Sequence, residues 1–223
     1  GMDDRRVRTL PAGALLVQEV MRAMGKDQIL TSNRSLRDGL IVDWMEKHRP
    51  RVALSRQLAD PRQRSVRATM DRYGVDTEHV EHIAEMARTL FDATASKHRL
   101  RVDDRRLLTF GTLLHDCGHH ISGRRHDKRG AYLIRHTHMP GFTAPEVAIL
   151  ERMVRYHSGK KPKKKHKRYA ALSKPDRRRV KILSGILCLA DAFDRGHHQN
   201  VTDFQADLSK GVLTIDATTA NPP

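Results

Sequence analysis

From Asp60 onward, apolar residues recur every three or four positions, and this period restricts the chain to a bundle of amphipathic helices. The spacing predicts helices near 61–73, 76–95, 103–117, 126–137, 143–158 and 174–195. Gly74, Gly118, Pro140, Gly141, Pro145 and Pro175 punctuate the joins. Ahead of the bundle, 11–25 reads as a helix with Pro11 at its start and Gly25 just past its end. Residues 28–32 read as a short strand, and 35–48 as a second helix closed by Pro50. After Asn200, Val201, Phe204, Leu208 and then Val212, Leu213, Ile215 flank Ser209, Lys210 and Gly211, a hairpin pattern. The expected fold class is therefore mainly α, a helical bundle with a short αβ N-terminal segment and a small C-terminal β-hairpin. Trp44 is expected to pack between the N-terminal segment and the bundle. No apolar run approaches the length of a membrane span.

Charge narrows the choice of partner. The 223 residues carry 42 Lys plus Arg against 26 Asp plus Glu, a formal +16. Such a surface attracts anions: nucleic acid, anionic lipid or phosphorylated molecules. Aromatic residues make up only 4%, too few for stacking on single-stranded bases, and no nucleic-acid recognition motif is present. The densest cationic run is 158–168, where Lys160, Lys161, Lys163, Lys164, Lys165, Lys167 and Arg168 crowd together and favour a loop. With only Cys117 and Cys188, no disulfide framework can form, which points to a reducing cytoplasm.

Fourteen histidines remain to be explained, and their placement is informative. At about 100° per residue, Val80, Ile83, Ala84, Met86, Ala87, Leu90 and Phe91 share one helix face; His79 falls inside it and His82 well off it, toward water. His157 sits in the stripe of Leu150, Met153 and Val154. His115 lies at the edge of the stripe of Leu107, Leu108, Phe110 and Leu114, with Asp116 beside it. In the last helix, Asp191 flanks the apolar stripe and Asp194 fits it better, so periodicity does not choose between them. Burying such groups unpaired costs on the order of a few kcal/mol each. A shared divalent ion removes that cost by taking imidazole lone pairs and carboxylates as ligands. Nitrogen and oxygen donors without thiolate suit Mn²⁺, Fe²⁺, Ni²⁺, Mg²⁺ or Zn²⁺.

The order His79, His115-Asp116, His126, His157, Asp191 resembles the HD-domain superfamily of metal-dependent phosphohydrolases. The segment LLHDCGHHISGRRHDKRGAYLI is similar to that family's His-Asp helix and the ligand-bearing helix after it. ILCLADAFDR resembles the closing helix, in which the first Asp of the pair, Asp191, is the ligand. The resemblance implies metal ligands His79, His115, Asp116, His126, His157 and Asp191 for one or two ions, with His115 and Asp116 central to catalysis. Lys128, Arg195, Lys160 and Lys161 then supply positive charge to phosphates. One departure is that His119 and His120 stand near the position where many members carry a phosphate-contacting Lys.

A nearer resemblance covers almost the whole chain. DRRVRTLPAGALLVQEVMRAMG and LTSNRSLRDGLIVDW are similar to the end of the actin-like domain of the exopolyphosphatase/guanosine pentaphosphate phosphatase family; HDKRGAYLIR, MVRYH and LADAFDRGHHQ are similar to the helical domain that follows. This implies three parts: 2–50 as the end of the actin-like domain, 51–199 as an HD-type domain, and 200–223 as a hairpin and tail. It also implies that nearly all of the actin-like core is missing, so exopolyphosphatase chemistry by the family's usual site is not expected. The expected function is metal-dependent hydrolysis of a nucleotide or other phosphorylated small molecule. The alternative is a non-catalytic module that binds polyphosphate or an alarmone. Apolar surface on the N-terminal segment is compatible with a homodimer.

Overall fold

The computed structural model describes residues 4–29, 35–47 and 60–220. The chain divides into two compact units, Gly1–Ala53 and Leu54–Pro223. The architecture is mainly α with a two-stranded antiparallel hairpin at the C-terminal end.

In the first unit, α1 (Asp4–Ala23) and α2 (Leu36–Lys47) are both helical. Pro11 lies inside α1 rather than at its start. Proline removes only the bond that the carbonyl of Val7 would accept, and the polar turn ahead of it stays helical. Gly25, at φ +60°, ends the helix: its N–H reaches Arg22 O at 3.2 Å and that of Lys26 reaches Met21 O at 2.9 Å. Gln28 and Ile29 are not in a strand; the remainder of the expected strand and Pro50 lie outside the described residues. Ser35 caps α2, exchanging hydrogen bonds with Asp38 at 2.6–3.4 Å. Within this unit Trp44 is 56% exposed. Leu36, Leu40, Ile41 and Val42 of the same helix are exposed as well, because its apolar residues spread around the whole circumference.

The second unit contains α3 (Pro61–Tyr73), α4 (Thr77–Ala93), α5 (Ala95–His98), α6 (Val102–Leu114), α7 (His126–His136), α8 (Ala144–Tyr156), α9 (Lys167–Ala170) and α10 (Lys174–Asp191). Two 3₁₀ turns, Cys117–His120 and Ala192–Asp194, follow α6 and α10. The loop over 158–166 precedes the short α9. Sequence-encoded caps mark several starts: Asp60 accepts from the N–H of Arg62, Asp76 from that of His79, and Ser173 from that of Asp176. Thr143 and Glu146 form a reciprocal capping box on α8.

The core is where the stripes of α4, α6, α8 and α10 meet. Ile83, Leu90, Leu107, Leu108, Leu114, Leu150, Met153, Leu183 and Leu187 are all fully buried there. α7 packs along α8, and the turn Cys117–His120 is pressed onto α7. That approach requires Gly118: a Cβ there would sit 2.1 Å from the carbonyl oxygen of His126 and 2.5 Å from the nitrogen of Gly130. Strands β1 (Val201–Ser209) and β2 (Val212–Thr219) pair through a two-residue loop, Lys210 and Gly211. Both loop residues have positive φ, so Ser209 belongs to the strand rather than the turn. Buried Val201, and Phe204 set edge-on against Phe193 at 5.0 Å, fasten the hairpin to the helices.

Candidate metal centre

The helix ends carry the site. α6 stops at Leu114 and α8 at Tyr156, so His115 and His157 become C-terminal caps whose side chains turn inward. His79 enters from the first turn of α4, His126 opens α7, and Asp191 ends α10. His79 and His115 are 0% exposed and His157 is 1% exposed.

Asp116 is the hub. Its Oδ2 lies 3.6 Å from His79 Nε2, and its Oδ1 lies 3.5 Å from His115 Nε2 and 3.8 Å from His126 Nε2. Asp191 Oδ1 is 3.4 Å from His115 Nε2. His126 Nε2 and His157 Nε2 face each other at 2.9 Å. The structure thus brings His79, His115, Asp116, His126, His157 and Asp191 into one cluster.

Each imidazole has its tautomer set from behind. His115 Nδ1 meets Thr112 O at 2.6 Å, His157 Nδ1 meets Val154 O at 2.6 Å, and His126 Nδ1 meets Gly123 O at 3.2 Å. A carbonyl can only accept, so these nitrogens carry the proton and each Nε2 presents its lone pair to the cluster. For His79 the partner is Asp194, whose Oδ2 lies 2.8 Å from Nδ1. Asp194 is itself held by the N–H groups of His198 and Gln199 at 2.9 and 2.8 Å, and by the Gln199 side-chain amide at 3.0 Å. The two aspartates that periodicity could not separate therefore do different things. Asp191 faces the cluster, and Asp194 stands behind His79.

These donors suit a divalent cation. His79 Nε2 and His115 Nε2 are buried without a hydrogen-bond partner. The His126–His157 contact sets two lone pairs against each other, which is repulsive unless a cation lies between them. Ligand bonds of about 2.1 Å place neighbouring donors about 3.0–3.4 Å apart; the observed spacings run from 2.9 to 3.8 Å. Two groups of donors, His79/His115/Asp116 and Asp116/His119/His126, each lie close enough to hold an ion.

The electrostatics are those of a tightly packed cationic and anionic set. Burial lowers the His157 pKa to about 4, and the neighbouring charge of His115 adds to the effect. Burial also opposes charging of His115, but Asp116 and Asp191 outweigh it and raise its pKa. Asp116 is pushed up by burial yet held below the usual carboxylate range by His115, His119, His157 and His126. Burial, then the charge of Asp116, drives the Cys117 thiol up to about 12, so it stays protonated and fills space beside the hub.

His119 and His197, which the sequence places toward solvent or near the site without ligating, lie exposed at its rim. His119 Nε2 is 3.5 Å from Asp116 Oδ1, with its ring stacked on His126 at 4.4 Å. The signal was its position three residues after Asp116, which a 3₁₀ turn converts into the same face. His197 stacks on His79 at 3.5 Å, with Nε2 3.8 Å from Asp116 Oδ2. It depends on a left-handed backbone, φ +55°, that no local pattern announced. His82, expected to point to water, is half-buried with its Nε2 enclosed, because the flank of α4 is covered by packing that helix periodicity does not contain.

Of the four cations expected to meet phosphates, Lys128 and Arg195 are exposed, on α7 and just past the second 3₁₀ turn. Lys160 reaches Asp127, the neighbour of His126, at 3.2 Å, and Arg155 pairs with the same carboxylate. Lys161 lines a cavity of about 470 Å³ with Arg155, Lys160, Lys163, Lys165 and His166. Burial raises the pKa of Asp127, but Arg155 and Lys160 outweigh it and lower it overall.

Fold and site together define a helical protein with a buried His–Asp cluster able to hold divalent cations. More specifically, the chain belongs to the Ppx/GppA phosphatase family: residues 62–217 match Ppx/GppA phosphatase domain III, and residues 1–48 match the Ppx/GppA phosphatase family. It is 28% identical over 144 residues to a guanosine-5'-triphosphate,3'-diphosphate pyrophosphatase of Pseudoalteromonas atlantica, covering 64% of this chain and 27% of that protein. Proteins of the same name from Photobacterium profundum and Aeromonas hydrophila are each 25% identical over 155 residues. These matches cover 70% and 69% of this chain and 30% of each relative. The chain thus spans less than a third of the length of these curated relatives. Among the described residues, no helix is long and apolar enough to cross a membrane.

Proposed function

We propose that this chain is an HD-type metal-dependent phosphohydrolase acting on a nucleotide or other phosphorylated small molecule. The observation that carries the proposal is the convergence of unpartnered Nε2 lone pairs on Asp116, each set from behind by a hydrogen bond on Nδ1. His79, His115, Asp116 and Asp191 hold one ion, and Asp116, His126 and His157 a second. A divalent ion there supplies Lewis acidity toward a phosphoryl oxygen and an acidified water.

The protein's own groups do the rest. Asp194 keeps His79 in the ligating tautomer, and the carbonyls of Thr112, Gly123 and Val154 do the same for the other three rings. Lys128, Arg195, Lys160 and Lys161 would supply positive charge to phosphate oxygens. The names of the relatives support a nucleotide carrying several phosphates as the substrate class. In this reading 2–50 is the end of an actin-like phosphatase domain and 51–199 is the HD-type domain.

The test is phosphate release from a panel of nucleotides by protein reloaded with Mn²⁺ or Ni²⁺, with His115→Ala alongside. Metal binding and release that both vanish in His115→Ala support the proposal; absence of metal uptake by the folded protein refutes it. A second reading, a polyphosphate-binding module, is favoured by the basic cavity at Lys161. It predicts salt-dependent polyphosphate binding that survives His115→Ala.

A further inference from the structure

Resting on that reading, we infer that His119 is a protein ligand of the second ion, which makes the two metal positions chemically unlike. His79 and His115 form one donor group with Asp116, and Asp191 faces His115. His119 and His126 form the other donor group with Asp116, and His157 faces His126.

The placement of His119 is built, not incidental. The turn Cys117–His120 is anchored by the His119 N–H on Asp116 O at 2.9 Å and seated on α7 through Gly118. This carries the His119 ring onto the face of His126, the planes 24° apart, and aims its Nε2 at the same carboxylate oxygen that His126 faces. The ligating atoms of Asp116, His119 and His126 all lie within 4.8 Å of one another. Stacked rings whose donor atoms lie this close can both reach one ion on the same side of Asp116. The His126–His157 lone-pair contact, at 2.9 Å, independently marks that ion's place.

The donor chemistry follows. Both positions bind Ni²⁺ more tightly than Mn²⁺, but the margin is larger where three imidazoles join one carboxylate than where two imidazoles join two carboxylates. One equivalent of Ni²⁺ therefore fills the imidazole-rich position first and leaves the other to Mn²⁺.

Metal-free protein is titrated with one equivalent of Ni²⁺ and then with Mn²⁺. Bound ions are counted by elemental analysis, affinities are read by calorimetry, and the Mn²⁺ is observed by electron paramagnetic resonance. Expected is one Ni²⁺ and one Mn²⁺ per chain. His119→Ala weakens the Ni²⁺ position at least about tenfold and leaves Mn²⁺ uptake within about threefold, while His120→Ala, on the same turn but set against Tyr73, leaves both unchanged. Melting curves without metal confirm that both variants fold. Two ions bound with unchanged affinity by His119→Ala, or a wild-type protein that binds a single ion, overturns the inference and leaves the phosphohydrolase reading intact. Wild-type protein that binds no metal overturns both.

Discussion

Asp194→Asn tests the design of the centre with the smallest change in shape. Asp194 accepts four hydrogen bonds, from His79 Nδ1, the backbone N–H groups of His198 and Gln199, and the Gln199 side-chain amide. The two backbone N–H groups point at Oδ1, so an asparagine keeps its oxygen there. Its Nδ2 then replaces the oxygen that faces His79 and Gln199, and donors oppose donors. The His79 ring can relieve this by moving its proton from Nδ1 to Nε2. Nδ1 then accepts from the new side-chain amide, and Nε2–H turns toward Asp116 Oδ2, 3.6 Å away. The fold loses about 1–3 kcal/mol. The metal loses a lone pair: affinity should fall about 10–100-fold, or about 1.4–2.7 kcal/mol. Calorimetric titration of chelator-treated protein with Mn²⁺ reads this directly, and a melt in chelator shows that the variant is folded. In a double-mutant cycle, Asp194→Asn should add little to His79→Ala. A folded Asp194→Asn that binds Mn²⁺ within about twofold of wild type would refute the argument that Asp194 acts by fixing the tautomer of His79.

Gly118→Ala should force the turn off α7, because the new methyl meets backbone at His126 and Gly130 rather than a flexible side chain; denaturant melts should show a loss of at least about 1–3 kcal/mol together with weaker metal uptake. The metal-free protein should lose stability as pH falls. His157 has a folded pKa near 4, below the unfolded value of about 6.5, so between these values the unfolded chain binds a proton that the native one refuses. His115, whose pKa is raised, works in the opposite sense: it stabilises below its unfolded pKa and loses that contribution as pH rises through its folded pKa. The His157 contribution therefore appears as a difference, with stability from pH 7 to 4.5 dropping up to about 3 kcal/mol further in wild type than in His157→Gln; parallel curves would contradict it. Lys161→Ala combined with Lys163→Ala, in the basic cavity, should weaken phosphate-ligand binding and flatten its salt dependence while leaving metal affinity unchanged.

The helical bundle was readable because burial repeats every 3.6 residues. His79 and His157 fall inside the stripes of α4 and α8, and both are buried. Capping chemistry at Asp76, Thr143 and Ser173 is equally local. Pro11 misled because a local signal for a helix start is only a preference, which a continuous helix overrides at the loss of one hydrogen bond.

Three questions passed beyond local pattern: the roles of Asp191 and Asp194, and the place of His197. Periodicity reports which face of a helix a residue occupies. It does not report which atom of a distant segment meets that face. Asp194 finds His79 across 115 positions of sequence, and His126 finds His157 across 31. The amino-acid sequence by itself determined the helices, their buried faces and the residue types able to bind metal. Only the tertiary packing decided which carboxylate faces the cluster and which stands behind a ring, because that choice depends on a few ångströms of separation between helix ends.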